Sequence, residues 1–201
     1  MFVVVFEVSP RAGAWDDYLG HAAILRPELL DIAGFIANER YASLTRPGWL
    51  VSLSVWRDEK ALVRWRTHAL HHAIQGKGRS SVFADYHLRV GEIVADTAEA
   101  QPLPQSRFDT TERGPGKAVT LTERVLDNRP VPGDHGGDMF ADGDIFESLT
   151  RPGNGLYLRS WPDVASAGAS IGQTPGRGRA VSVIRDYGMF DRTEAPQYFP
   201  P

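Results

Sequence analysis

The residues best equipped for chemistry crowd into one stretch, Trp65-Arg-Thr-His-Ala-Leu-His-His72. An imidazole titrates near neutral pH and moves protons readily, and an indole beside it offers a flat apolar wall. On a continuous helix, residues three, four and seven apart share a face. That places His72 with Trp65, Ala61 and Ala69 on the apolar side, and His71 with Arg64 and Thr67 on the polar side. His72 therefore reads as a general base or as a core histidine with a satisfied hydrogen bond. His71 reads as a solvated or interface residue. His68 and His72 stand four apart, a spacing that can hold a metal from one helical face. The carboxylate that a metal protease adds to such a pair is missing, so no metal site is expected.

Glu7 is a carboxylate in a strand otherwise built of valine and phenylalanine. Facing the interior, it would favour its neutral form and suit proton transfer; at a strand end, it would pair with an arginine such as Arg40 or Arg89. Arg40, in the run Asn38-Glu39-Arg40-Tyr41, joins Tyr18 and His21 as polar groups for a cleft mouth or as surface decoration. Trp56 and Trp161 are packing residues or walls of an aromatic pocket. Gly176-Arg-Gly-Arg lacks the spacing and following helix of a phosphate loop, and no Ser-His-Asp arrangement is supported.

The elements that would position these groups follow from a repeat. Ser-Leu-Thr-Arg-Pro-Gly occurs at Ser43–Gly48 and again at Ser148–Gly153, and a tryptophan follows each glycine by eight residues, at Trp56 and Trp161. Arg-Pro-Gly is a tight turn, because proline presets φ and glycine accepts positive φ. The strand-forming residues on either side make each turn a β-hairpin. The first copy predicts a strand at Phe2–Val8, a helix at Trp15–Ile32 interrupted near Pro27, the hairpin, a helix over Asp58–Ser80 and a strand at His87–Val94. The second predicts strands at Ala118–Val125 and Arg179–Tyr187 and a short helix at Val164–Gln173. Its Gly/Pro/Asp-rich stretch Asp127–Gly143 reads as loop.

This is an α+β plan: two ferredoxin-like βαββαβ units, residues 1–95 and 117–190, the second with reduced helices. Residues 96–116 read as a linker and 191–201 as an extended tail. Each four-stranded sheet has helices on one face only, so the bare faces should close on one another as a pseudo-dimeric α+β barrel with a hollow between.

Hydrophobic residues make up 42% and charged residues 23%, with a net charge of −3, which is ordinary for a soluble globular protein. Lysine and arginine form no basic stripe, so nucleic-acid binding is not expected. The apolar run Met1–Phe6 is far short of the ~20 residues that span a bilayer. It also lacks a basic leader, so neither membrane nor export is expected. The absence of cysteine excludes disulfides, thiol catalysis and thiolate metal sites, and fits a cytoplasmic location.

The first half resembles the antibiotic biosynthesis monooxygenase family of dimeric α+β barrels. The resemblance rests on Val4-Val-Phe-Glu-Val8, Gly34-Phe-Ile, Ser52-Leu-Ser-Val-Trp56-Arg-Asp-Glu and Trp65-Arg-Thr-His-Ala-Leu-His71, with Gln75 and Gly78-Arg79 behind. It implies a cofactor-independent monooxygenase acting on a small aromatic or quinol-type molecule and O2 in the cavity between the sheets. The alternative is a non-catalytic binder of an aromatic ligand or haem. His71 occupies the family's position, in conflict with its place on the helical wheel, so His71 and His72 both stay candidates for the base. Glu7 or Arg40 is the polar partner, and Trp65, Trp56, Tyr18 and His68 are candidate substrate contacts. The haem-degrading branch carries an asparagine in the first strand, where this chain offers Glu7, and a histidine nine or ten residues after the helix-two tryptophan, where it has Ile74 and Gln75. A displaced haem ligand from His71 or His72 is left open, as is a homodimer.

Overall fold

Strand β1, Phe2–Pro10, consists almost wholly of residues that fit a pleated surface, and its side chains alternate between two apolar environments. Val3 and Val5 enter one buried cluster, and Phe2 and Val8 enter others on the opposite face. A strand covered on both sides sits between a barrel interior and a helical layer. The computed structural model describes residues 1–101, 103–126, 142–173 and 175–197.

After β1 come α1 (Trp15–Leu30), β2 (Phe35–Ser43), β3 (Leu50–Trp56), α2 (Glu59–Thr67), α3 (Ala69–Lys77), a π-helical turn (Gly78–Val82) and β4 (Phe83–Asp96). The rest comprises β5 (Ala118–Val125), β6 (Asp142–Ser148), β7 (Asn154–Trp161), α4 (Val164–Ser170) and β8 (Arg177–Gly188). The strands close into one antiparallel barrel in the order β1-β3-β2-β6-β7-β5-β8-β4. Both halves thus use the same internal order, β4-β1-β3-β2 and β8-β5-β7-β6. One chain completes the barrel without a partner.

The interior is packed with side chains, as expected of eight strands. Val51, Leu53, Val119, Phe146, Leu158 and Val183 are among its buried members. The hollow expected between the bare sheet faces is therefore not there: inward-pointing valine, leucine and phenylalanine from both halves fill it.

The hexapeptides form one seam between the halves, and they do so reciprocally. Strand β2 meets β6 with Tyr41 opposite Ser148 and Ser43 opposite Phe146. The Ser43 Oγ accepts from the Thr45 and Arg46 amides, and Ser148 Oγ accepts from those of Thr150 and Arg151. Each hydroxyl then donates across the seam, Ser43 to Asp144 and Ser148 to Glu39, both at 3.0 Å. Thr45 and Thr150 donate to the same two carboxylates, and Arg46 and Arg151 pair with them. The backbone follows suit, with Leu44 N–H donating to Ile145 and Leu149 N–H to Arg40. Glycines at φ +79° and +81° finish the two turns, a conformation that penalises any Cβ.

Two expectations change. The helix expected over Asp58–Ser80 breaks at His68, whose ψ of 127° is extended, leaving α2, α3 and the π turn. Helix α1 runs through Pro27 to Leu30, since a proline this near the end removes little of the ladder. The connection between halves is tied down: Glu92 accepts from the Ser106 amide and hydroxyl and the Arg107 amide, and Arg107 pairs with Glu59 and Asp109. The loop expected at Asp127–Gly143 lies largely outside the described residues. Among the described residues, no helix is long and apolar enough to cross a membrane.

Candidate active site

The cavity lies on the other face of the sheet. A space of about 660 Å³ opens between the outward faces of β1–β4 and the helices, with the tail residues Arg192 and Ala195–Gln197 at its edge. Its sheet floor is polar: Asn38 and Arg40 from β2, Ser52 and Ser54 from β3. Its walls are Val4, Phe6, Leu62, Trp65, Phe83 and Leu88. The volume falls within the range of small-molecule sites.

The break at His68 sets how the two histidines after it are placed. Helix α2 ends with unsatisfied carbonyls, and the Trp65 carbonyl accepts from His68 N–H at 3.2 Å and from His71 Nδ1 at 2.9 Å. A carbonyl only accepts, so Nδ1 carries the hydrogen and Nε2 keeps its lone pair. The His71 ring stacks on Trp65 at 4.2 Å between centroids. Burial pushes its pKa down to about 4, only partly opposed by that hydrogen bond; His71 is therefore neutral at pH 7. Both His71 and His72 line the cavity. The polar-side placement of His71 assumed an unbroken helix, and one extended residue rotates α3 out of that register.

On the floor, the Asn38 amide donates to Ser52 Oγ and to the Leu53 carbonyl, at 3.0 and 3.1 Å. The Tyr18 hydroxyl lies beside Arg40 and Ser52, and burial raises its pKa, with the Arg40 charge opposing. Burial likewise pushes Tyr187 up to about 12. Both line the cavity as phenols. The Nε of Arg40 is buried and has no hydrogen-bond partner.

Three expected site residues stand elsewhere. Glu7, 4% exposed, faces the barrel side of β1, where Arg89 meets it at 2.5 Å, Arg46 pairs with its other oxygen and His87 lies 3.7 Å away. Strand alternation turns it from the cavity, and two guanidiniums fix it as a paired carboxylate. Trp56 is fully buried beneath α2, its Nε1 donating to Ser54 Oγ at 2.9 Å, and is a packing residue. His68 sits at the helix break, 3.4 Å from Glu28, outside the lining. Among the described residues, no cluster of three metal-binding side chains occurs.

A family model described as antibiotic biosynthesis monooxygenase matches residues 1–77. A protein of Pyricularia oryzae called jasmonate monooxygenase ABM is 43% identical over 217 residues, spanning 100% of this chain and 99% of that one. The chain belongs to the antibiotic biosynthesis monooxygenase family. Among solved structures, a Fusobacterium nucleatum protein aligns over 92% of this chain and 93% of its own, with a TM-score of 0.44 and 7% identity. Rv0793 of Mycobacterium tuberculosis aligns over 50% of this chain and 98% of its own, with a TM-score of 0.44 and 17% identity.

In this family member, sequence reasoning missed Ser52, Ser54, Phe83, Tyr86 and Tyr187, all cavity residues. A signal for the serines was present. In Leu50-Val-Ser-Leu-Ser-Val-Trp56, small polar residues occupy the strand face that helices must cover, where a packed interface would carry larger apolar ones. The equivalent strand of the second half carries Tyr157 and Arg159 there, and the recess beside them is only about 60 Å³.

Proposed function

We propose that this protein is a cofactor-independent monooxygenase acting on a small, largely apolar molecule with an acidic C–H or O–H, bound between the sheet and the helices of the first half. The neutral His71, with Nδ1 tied to the Trp65 carbonyl and Nε2 left as acceptor, carries this reading. Nε2 takes the substrate's proton, and the carbanion delivers its electrons to O2. A C–O bond forms, and loss of water from the hydroperoxide converts CH2 to C=O. One O2 then yields the carbonyl and one water, and no external reductant is needed. Trp65, Phe6 and Phe83 keep water out, Arg40 and Tyr18 form the polar pole, and His72 is the other candidate base. The relative named for jasmonate, a cyclopentanone, adds ketones with acidic α-hydrogens to the quinol-type substrates already expected.

The two sheet halves, with their shared order and reciprocal seam, support descent from one duplicated unit. Any homodimer would add to a barrel that one chain already closes. The low His71 pKa favours a second reading, because it makes the imidazole a weak proton acceptor: a protein that holds an aromatic ligand or haem without turnover.

Oxygen-electrode traces with anthrone, a hydroquinone and jasmonate, followed by mass spectrometry under ¹⁸O2, separate the two. The enzyme reading expects uptake and one incorporated ¹⁸O, both lost in His71→Asn. Uptake no greater than that of the variant, or a Soret band on haem titration with no uptake, refutes it.

A further inference from the structure

Every formally charged side chain that lines the cavity is cationic. Arg26, Arg40, Arg66, Arg79 and Arg192 contribute, and among the described residues no aspartate or glutamate does, although the chain as a whole carries −3. These arginines are not equivalent. Arg26 and Arg192 are exposed at the mouth, where water screens them. Arg192 donates to the Tyr86 hydroxyl and Arg66 to the Gln197 carbonyl. Arg40 sits on the sheet floor, with Nε buried and without a hydrogen-bond partner. With no carboxylate in the described lining, the charge of Arg40 is left for a bound anion to compensate.

We propose that the cavity is selective for carboxylates and that Arg40 holds the carboxylate of the substrate, while the apolar body lies along Trp65 and Phe6. A guanidinium binds a carboxylate with two parallel N–H donors; Arg40 lines the cavity floor and would offer its terminal nitrogens, since its Nε is closed off from the cavity. Ser52 Oγ accepts from Asn38 and hydrogen-bonds the Tyr18 hydroxyl, which Arg40 also meets, so the three form one polar group beside the guanidinium. Tyr18, kept as a phenol by burial, brings no competing negative charge. The mouth arginines act at longer range, raising the local concentration of an anion as it approaches. The inference rests on the reading of this cavity as the substrate site, but it concerns binding and not turnover.

The test is anaerobic titration calorimetry with two acid–ester pairs, jasmonate with methyl jasmonate and 3-phenylpropanoate with its methyl ester, on the full chain. A buried charge-assisted pair predicts that at least one acid binds roughly 10- to 100-fold more tightly than its ester. Arg40→Met removes that preference and leaves the ester within about twofold, and Arg40→Lys restores part of it because a point charge replaces the fork. Acids and esters binding alike in both pairs would overturn the proposal. So would Arg40→Met weakening acid and ester equally, which marks a packing role. Acid preference without oxygen uptake leaves the anion site standing and refutes only the monooxygenase reading.

Discussion

Replacing His71 with asparagine separates two things that this imidazole does. Asparagine can present an N–H near the position of Nδ1 and so still satisfy the Trp65 carbonyl at the end of α2, but it has no titratable lone pair. In the folded chain His71 has a pKa of about 4, against an ordinary 6.5, chiefly through burial. Between those values the unfolded chain holds a proton that the folded chain does not. Folding stability from this group is therefore complete above pH 6.5, falls as pH drops through the window and levels off below about 4. At ~1.36 kcal/mol per pKa unit, the interval is worth about 3 kcal/mol. Urea unfolding of both proteins at pH 7, 5.5 and 4.5 cancels the titration of groups they share. The wild type should lose about 2–3 kcal/mol more than the variant between pH 7 and 4.5. Parallel pH profiles would refute a buried, neutral His71. The same neutrality predicts that oxygen uptake persists down to pH ~5 and does not fail near 6.5.

Other perturbations test the seam and the cavity. Ser54→Arg introduces the side chain that the second half carries at Arg159; calorimetry should find ligand binding abolished, at a stability cost of about 1–3 kcal/mol because the buried Trp56 N–H loses its acceptor. Gly91→Ala places a Cβ 2.4 Å from Val181 and 2.5 Å from the Ser182 carbonyl, so thermal unfolding should reveal an overpacking cost of about 1–3 kcal/mol at the β4–β8 seam. Asp144→Asn strips one of the two charges facing Arg46 while Ser43 and Thr45 still donate to it, and since Arg46 is 38% exposed and keeps Glu7, urea unfolding should register a loss of about 1–2 kcal/mol. Its counterpart Glu39→Gln faces Arg151, whose side chain is 56% exposed, and should cost no more than about 1 kcal/mol.

The strands and their partners were legible because period-2 alternation and a repeated turn are local signals with a long-range consequence. Ser43–Gly48 and Ser148–Gly153 had to be hairpins, and two hairpins of one plan imply two sheets. The position of the cavity was not legible. Sequence gives no direct measure of volume, and whether Val51, Leu53 and their counterparts meet across the interior depends on how closely the two sheets approach. His71 was named, but its side of the helix was misplaced for a smaller reason. No proline or glycine marks the break at His68, so the periodicity of 59–77 reads as one helix. The break carries a side-chain bond from His71 to the Trp65 carbonyl and a contact of His68 with Glu28 of α1, neither of which propensity alone encodes. Glu7 was ambiguous between a base and an ion-paired residue, and only Arg46 from the β2–β3 turn and Arg89 from β4, both far away in sequence, decide between them.

The barrel explains how the first half can hold the large cavity while the described residues of the second hold only a small recess. Closure needs eight strands, a filled interior and two seams, and both halves provide these on equal terms: Gly91 and Ile93 face Val183 and Val181 in the same sense that Tyr41 and Ser43 face Ser148 and Phe146. None of this depends on the outward faces, which are free to differ. In the first half, Ser52 and Ser54 leave room above the sheet, and the broken helix brings His71 and Trp65 over that room. In the second, Tyr157 and Arg159 occupy the equivalent positions, and α4, seven residues without a histidine, supplies neither base nor wall. Its N-terminus nevertheless keeps the aspartate cap of α2: Asp163 accepts from Ser166 N–H at 2.7 Å as Asp58 does from Ala61 at 2.8 Å. What the second half retains is what closure and local helix geometry require. What its described residues lack is a counterpart to Ser52, Ser54 and His71, and that contrast separates the barrel scaffold from the candidate cavity within a single chain.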